Sequence, residues 1–299
     1  MPKNNTRYQK DKPNFSGQHL LINKSLVQEL IHLARVQRGD TVIDIGAGTG
    51  AITFPLAEKA GTVIAIENDP ASVQKLKRKI KEGVNIRLKE MDVLRFELPK
   101  GPFCIVANIP YSVTTPIFEK FLGSPSQLQR AAFMIEKGAA KRFTADPVTN
   151  PLILIWRMWY DIRLARTVSP SNFSPPPRVD SAVVTVTRKK NPVVPHHLWG
   201  KFSAFASYGL RYPQLPFFEA MGEIFTPPQI AKLVKELGLE RYEAISSLNE
   251  ERWGRLFLAM LKHVEPYRWP KLPKKMKSSN IKSASQISRK KGKGRPNLL

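Results

Sequence analysis

The sequence predicts an α/β protein, a mostly parallel, doubly wound sheet of seven strands with crossover helices, followed by a small helical domain. Short runs rich in β-branched residues alternate with helix-like stretches as far as Lys190, which is how strands and crossover helices are written. From Leu198 to Val264 the apolar residues recur instead with helical period. The chain has 299 residues of which 42% are hydrophobic, enough apolar material for a sizeable core, and this excludes wholesale disorder.

Strands are expected at Thr41–Ile45, Thr62–Ile66, Val84–Leu88, Phe103–Ala107, Arg130–Glu136, Leu152–Leu164 and Ser181–Thr187, with helices at Ala51–Ala60 and Ala71–Glu82 between the first three. The segment Arg95–Pro102 is too short for a long helix. A proline-rich link, Ser169–Arg178, joins the last two strands and leaves them free to pair antiparallel. Asn191–His197 reads as a linker. Beyond it, Thr226-Pro227-Pro228 has the form of a helix start, and Leu256, Phe257, Met260 and Leu261 form one apolar face of a last helix. The expected organisation is a flexible basic N-terminus (1–14), an α/β domain (15–190), a helical domain (191–265) and a disordered basic tail (266–299).

The formal charge is +24, from 48 Lys+Arg against 24 Asp+Glu. Such a charge on a soluble chain points to nucleic acid, with anionic membrane surfaces or acidic proteins as alternatives. Eleven of the basic residues and no acid lie between Pro266 and Leu299, a composition that cannot bury enough surface to fold and that suits attraction to backbone phosphates or simply solubility. Setting those eleven aside leaves +13 on residues 1–265. The single cysteine, Cys104, makes neither an internal disulfide nor a cysteine-based zinc site and is expected as a buried small hydrophobe. The five histidines have no metal-ligand spacing, so no metal is expected. Met1–Asn14 lacks the apolar segment of a secretory signal, and the longest apolar run, Pro151–Trp156, falls far short of the roughly 20 residues of a membrane span. A cytoplasmic protein without a membrane partner is the expectation.

The first strand runs into Asp44-Ile45-Gly46-Ala47-Gly48-Thr49-Gly50. Glycines spaced in this way let the backbone turn sharply and approach a ligand, although such a turn can also be purely structural. The dinucleotide fingerprint places its third glycine one residue later, so a nicotinamide or flavin cofactor is disfavoured. The second strand ends at Glu67, where a carboxylate can accept hydrogen bonds from both ribose hydroxyls of a nucleoside, or can merely cap a helix. After the fourth strand comes Asn108-Ile109-Pro110-Tyr111. An adenine amine is a poor nucleophile because its lone pair is delocalised into the ring. The amide oxygen of Asn108, with the carbonyl of Ile109 or Pro110, can accept both amine hydrogens and draw the nitrogen toward tetrahedral geometry. Tyr111 can stack on the base, and Pro110 removes an N–H that would face the amine.

The glycine loop resembles the first motif of S-adenosylmethionine-dependent methyltransferases, and Asn108–Tyr111 resembles the motif of the amino-methyltransferases among them. Phe15-Ser16-Gly17-Gln18-His19-Leu20 and Phe173-Ser174-Pro175-Pro176-Pro177-Arg178-Val179-Asp180-Ser181 resemble two further elements of the rRNA adenine N6-dimethyltransferases. The resemblance implies a Rossmann-like methyltransferase sheet binding S-adenosyl-L-methionine. It implies Gln18, His19 and Leu20 over the methionine end, Asp44, Gly46, Gly48 and Gly50 in the loop, Glu67 and Asn68 at the ribose, and Asp92 and Val93 at the adenine. It also implies Asn108 between cofactor and target, and Phe173 flanking the target adenine opposite Tyr111; the residue-level alternative for Phe173 is a core plug. Asn108–Ile117 and Glu136–Arg142 look like the erythromycin-resistance (Erm) branch, whose members methylate 23S rRNA or a ribosome-assembly precursor as monomers and confer macrolide, lincosamide and streptogramin B resistance. The alternatives are the housekeeping 16S dimethyladenosine transferase and a non-catalytic nucleic-acid-binding protein on the same fold.

Overall fold

The computed structural model describes residues 19–123, 126–240 and 242–272. The expectations for the N-terminus, for Phe15–Gln18 and for the tail beyond Leu272 lie outside these residues.

Seven strands form one sheet: β1 (Thr41–Ile45), β2 (Thr62–Glu67), β3 (Ile86–Glu90), β4 (Phe103–Asn108), β5 (Leu128–Glu136), β6 (Tyr160–Val168) and β7 (Ser181–Arg188), in the spatial order β3-β2-β1-β4-β5-β7-β6. The first five are parallel, and β7 runs antiparallel to both β5 and β6. The central strands β1 and β4 are buried along nearly their whole length. That is why they read as largely apolar runs, interrupted in β1 by Asp44, since helices cover both faces of a parallel sheet. The order reverses between β1 and β4, and the crevice at their carboxyl ends is where open sheets of this type bind ligands.

Several helices are set by their first residues. The Asn23 side chain accepts the Leu26 N–H and starts α1 (Lys24–Leu33), an element that the sequence does not announce, which buries Leu26, Val27, Leu30 and Ile31. The helices α2 (Thr53–Ala57) and α3 (Pro70–Lys79) follow β1 and β2, with Asp69 capping α3. Next come α4 (Thr114–Leu122) and α5 (Lys137–Thr144), after β4 and β5.

One expected strand is a helix for most of its length. Residues 151–159 form α6 (Pro151–Trp159), and only from Tyr160 does the chain extend as β6. The Asn150 carboxamide accepts the Leu152 N–H, and Pro151 stands in the first turn where its missing N–H costs nothing. The helix buries Ile153, Leu154, Ile155, Trp156, Met158 and Trp159, so its apolar residues run around the cylinder without a helical period. Periodicity cannot tell such a segment from a buried strand.

Beyond β7 lie α7 (Trp199–Gly209), α8 (Phe217–Ala220), α9 (Pro227–Leu237) and α10 (Glu250–His263). The helix α9 starts where the Thr-Pro-Pro signal predicts, and Thr226 and Gln229 form a capping box there. Leu256, Phe257 and Met260 of α10 are buried, and Leu261 packs partly against the same cluster. One apolar cluster runs from Phe118 and Phe133 through Trp156 and Trp159 to Phe202, Trp253 and Phe257, and Arg157 of α6 pairs with Glu250 of α10.

The start of the expected disordered tail is ordered. Pro266–Arg268 make a 3-10 turn, Arg268 donates to the Glu223 carbonyl at 2.8 Å, and the Trp269 indole donates to the Val264 carbonyl at 2.8 Å with Lys201 over its ring. Charge alone hides two aromatic residues in this stretch, Tyr267 and Trp269, of which Trp269 packs against the core. No helix among the described residues is long and apolar enough to cross a membrane.

Candidate active site

The glycine loop leaves β1 with positive φ at all three glycines, 69° at Gly46, 54° at Gly48 and 94° at Gly50. A Cβ at Gly50 would meet the Phe54 ring at 2.3 Å, so that position is closed to side chains by both conformation and space. At Gly48 a Cβ would stand 3.3 Å from Leu20, which lies across the loop. Beneath it, Asp44 is 1% exposed. Its Oδ2 accepts the Thr53 hydroxyl at 2.6 Å and its Oδ1 has no hydrogen-bond partner among the described residues. Burial is the main reason its carboxyl is pushed up to about 7; the Thr53 hydrogen bond works against the shift and the Glu67 charge adds to it.

Glu67 closes β2 with its carboxylate 2% exposed and already engaged. Oε2 accepts the Gly48 N–H, and Oε1 accepts the N–H groups of Asn68 and Asp69, each at 2.8 Å. Two donors fill Oε1, so the expected two-oxygen grip on a ribose is not available in this arrangement; one lone pair on Oε2 is open. The acid is a keystone between the second strand and the glycine loop, a role that its position at a strand end does not announce. Asn68 is exposed beside it. After β3, Asp92 is exposed and caps a short turn by accepting the Leu94 N–H at 2.9 Å, while Val93 is half-buried against the core.

At the end of β4 the Asn108 side chain donates through Nδ2 to the His19 carbonyl at 2.7 Å. A carbonyl only accepts, so this contact turns the amide nitrogen toward His19 and leaves Oδ1 as the acceptor. Ile109 is buried and its N–H is held by the Met134 carbonyl at 2.9 Å, which fixes the turn to β5. Pro110 leads into the 3-10 turn Tyr111–Val113. The Tyr111 ring stands 5.8 Å from that of His19, and its hydroxyl pairs with the Ser181 hydroxyl at 2.7 Å. Burial is the main reason the Tyr111 phenol is held above its ordinary value. His19, Leu20, Gly46, Gly48, Asn108, Ile109, Pro110 and Tyr111 together line an open cleft at the carboxyl edge of the sheet.

Phe173 is not in that cleft. It is 3% exposed and packs in a cluster with Leu21, Leu30, Val106 and Val183. Phe173–Ser174 pair antiparallel with Leu20–Leu21, and His19 Nδ1 lies 2.8 Å from the Pro175 carbonyl. The phenylalanine therefore plugs the core under the strap that carries His19 and does not face Tyr111. Thr53 and Ser181 join the site although no expectation from the sequence assigns them a role there. Ser181 closes the Val179-Asp180-Ser181 stretch, whereas nothing in the sequence links Thr53 to Asp44 across the loop.

The cleft fits S-adenosyl-L-methionine on two observations of the protein itself. The glycine loop is a backbone cradle that side chains would fill, and Asp44 presents an unpartnered buried carboxylate oxygen beneath it, suited to a cationic ligand. Gln18 lies outside the described residues.

A family model described as ribosomal RNA adenine dimethylase matches residues 9–262. An rRNA adenine N-6-methyltransferase of Bacillus licheniformis is 42% identical over 282 residues, covering 92% of this chain and 98% of that protein. A ribosomal RNA small subunit methyltransferase A of Clostridium botulinum is 34% identical over 186 residues, 60% of this chain and 68% of that protein. The crystal structure of the 23S rRNA methyltransferase ErmE superposes with a TM-score of 0.71 over 81% of this chain and 99% of that one, at 21% identity, and so shares the fold. The methyl donor is S-adenosyl-L-methionine. With a family model spanning both the sheet and the helices beyond it, and a relative matched almost end to end, the chain belongs to the ribosomal RNA adenine dimethylase family and is an rRNA adenine N6-methyltransferase.

Proposed function

We propose that the protein methylates the N6 of one adenosine in 23S rRNA, up to the dimethyl form, and so confers resistance to macrolides, lincosamides and streptogramin B, acting as a cytoplasmic monomer. The observation that carries the adenine chemistry is the Asn108 amide, turned by the His19 carbonyl so that Oδ1 is left to accept. The near full-length match to the Bacillus protein, against a partial match to the small-subunit enzyme, weighs against the small-subunit target.

S-adenosyl-L-methionine supplies a methyl group on a sulfonium whose departure leaves a neutral thioether. The residues do the positioning. Asp44 and the Gly46–Gly50 loop hold the cationic end, with Gln18, His19 and Leu20 over it. Glu67 offers its open Oε2 lone pair to one ribose hydroxyl, Asn68 stands beside it, and Asp92 and Val93 take the adenine edge and face. Asn108 Oδ1 and a carbonyl of Ile109 or Pro110 accept the two hydrogens of the target amine, and Tyr111 stacks on the extruded base, an interaction worth about 1–3 kcal/mol. Holding amine and methyl in line is where the rate enhancement lies. Phe173 supports the strap from below, and stacking on the target would require it to leave the core. The exposed Lys141, Arg142 and Arg163 supply a basic RNA face, while Lys137, Arg157 and Arg166 beside them are paired with Asp180, Glu250 and Glu29.

Primer extension on rRNA from cells expressing the gene tests this reading, because an N6-dimethyladenosine has lost both amine hydrogens and arrests reverse transcriptase. A stop in large-subunit rRNA together with macrolide resistance is expected. A stop in small-subunit rRNA would assign the housekeeping reaction, and no stop in either would favour a nucleic-acid-binding role without catalysis.

A further inference from the structure

We infer that Ser181 is a positioning residue for the target adenine, acting through the Tyr111 ring. This rests on the proposed role of Tyr111 as the surface on which the base stacks.

Ser181 is fully buried at the start of β7, where it pairs with Glu136 of β5 on one side and Val168 of β6 on the other. Its backbone is therefore fixed from both flanks. Next to it, the Lys137 N–H is bound to the Asp180 carbonyl at 3.0 Å and the Lys137 ammonium to the Asp180 carboxylate at 2.8 Å, which pins the junction of β5, α5 and β7. From this rigid point the hydroxyl meets the Tyr111 hydroxyl at 2.7 Å. Tyr111 comes from a different part of the chain, 70 residues earlier, on a turn whose start is fixed by Pro110. A tyrosine ring held at Cα alone turns about χ1 and χ2. Tethered at its far end as well, it presents one plane. The hydrogen bond thus sets the plane on which a base lies while Asn108, three residues before Tyr111, receives the amine. The buried serine hydroxyl also gives the phenol a partner, so Tyr111 serves as a surface and not as a base.

The expected consequence is kinetic. Ser181→Ala leaves the ring in place but untethered, so kcat with saturating RNA falls about 3- to 10-fold, the worth of one ordinary hydrogen bond, while KM for RNA and affinity for S-adenosylmethionine stay near wild type. Tyr111→Phe removes the same bond from its less buried partner without opening the core, and is the variant to rely on if Ser181→Ala folds poorly. The decisive measurement is the double-mutant cycle, read on kcat and on the fluorescence of 2-aminopurine placed at the target position of an rRNA fragment that the wild-type enzyme methylates. The double variant is expected to match either single one in both readouts. Additive losses would mean that the two hydroxyls act independently and would overturn the inference, as would a Tyr111→Phe enzyme with wild-type kcat and fluorescence. Tyr111→Ala separates this from the underlying reading. If it keeps full activity, stacking on Tyr111 itself is wrong; if it loses activity while Tyr111→Phe and Ser181→Ala do not, only the tether is.

Discussion

At the carboxyl edge of the sheet, two carboxylates, Asp44 and Glu67, are buried among backbone groups, and all three loop glycines have positive φ. At the seam where α6, α7 and α10 meet, the contents are apolar and rich in aromatic rings: Trp159 against Phe202, Phe202 against Phe257, and Phe205 against Trp253 at centroid distances of 5.4–5.8 Å. Both regions are close-packed. Adding a Cβ at Gly209 of the seam would meet Trp253 at 2.6 Å, much as one at Gly50 would meet Phe54 at 2.3 Å. The difference lies in what the packing achieves. The seam removes apolar surface from water, and among the described residues it leaves only the indole N–H groups of Trp199 and Trp253 unpaired. The edge holds the loop together through Glu67 and still leaves one buried oxygen, Asp44 Oδ1, without a partner among the described residues. Stability is concentrated in one region and the proposed chemistry in the other, and four perturbations test how cleanly they separate.

The largest effect belongs to the seam. Trp253→Ala opens a large cavity among Phe205, Gly209 and Phe257 and is expected to cost about 3–5 kcal/mol of folding free energy. Denaturant melts give that value, and the fraction that remains folded keeps wild-type kcat. A variant of normal stability but crippled turnover would show that the regions are not separable.

Asn108→Ala is the converse change. Losing the acceptor that orients the amine is expected to reduce methyl transfer by about 10²–10³-fold, by analogy with losing one preorganised hydrogen-bonding group elsewhere. Calorimetric titration with S-adenosylmethionine changes little, because the loop is intact. Near-normal turnover in this variant would sink the proposed site.

Asp44→Asn tests the cost of holding an acid ready. The folded carboxyl sits at about 7 against 3.8 unfolded. Its contribution to stability is therefore fully present below pH 3.8 and is lost as the pH rises through 7. Removing the charge cancels that loss, so the asparagine variant gains on the wild type by roughly 2.5 kcal/mol between about pH 5 and pH 8, while cofactor affinity falls. Parallel stability–pH curves for the two ligand-free proteins would refute the shift.

The smallest effect is expected from the chain end. Since Pro266–Leu272 are part of the folded structure, the informative cut is after Leu272, which removes nine of the eleven basic residues counted from Pro266. RNA affinity weakens modestly and the slope of log K against log salt becomes shallower, by up to about 0.7–0.9 for each phosphate that the tail had neutralised. An unchanged slope assigns RNA binding to the folded part alone.

The site was legible where its chemistry is local. Asn108–Tyr111 and Gly46–Gly50 are contiguous, and each residue type there has a reason that needs no neighbour. The strands β1 and β4 were legible too, since a strand buried on both faces reads as an apolar run, interrupted in β1 by Asp44. The same signal failed at α6, where an all-round apolar helix looks like a strand until Asn150 and Pro151 are recognised as its cap. Phe173 was open to two readings, and only the fold chose between them by covering it with the Leu20–Leu21 strap.

By itself, then, the sequence determined the alternation of strands and helices, the order of the motifs and the reaction class, because these depend on residue type and on spacings of a few positions. The tertiary structure decided the rest: which oxygens of Glu67 stay open, which way the Asn108 amide faces, and what steadies Tyr111. Those answers depend on His19, 89 residues from Asn108, and on Ser181, 70 residues from Tyr111. No local pattern records such partners, because a hydrogen bond is chosen by what the folded chain brings within about 3 Å and not by what lies nearby along it.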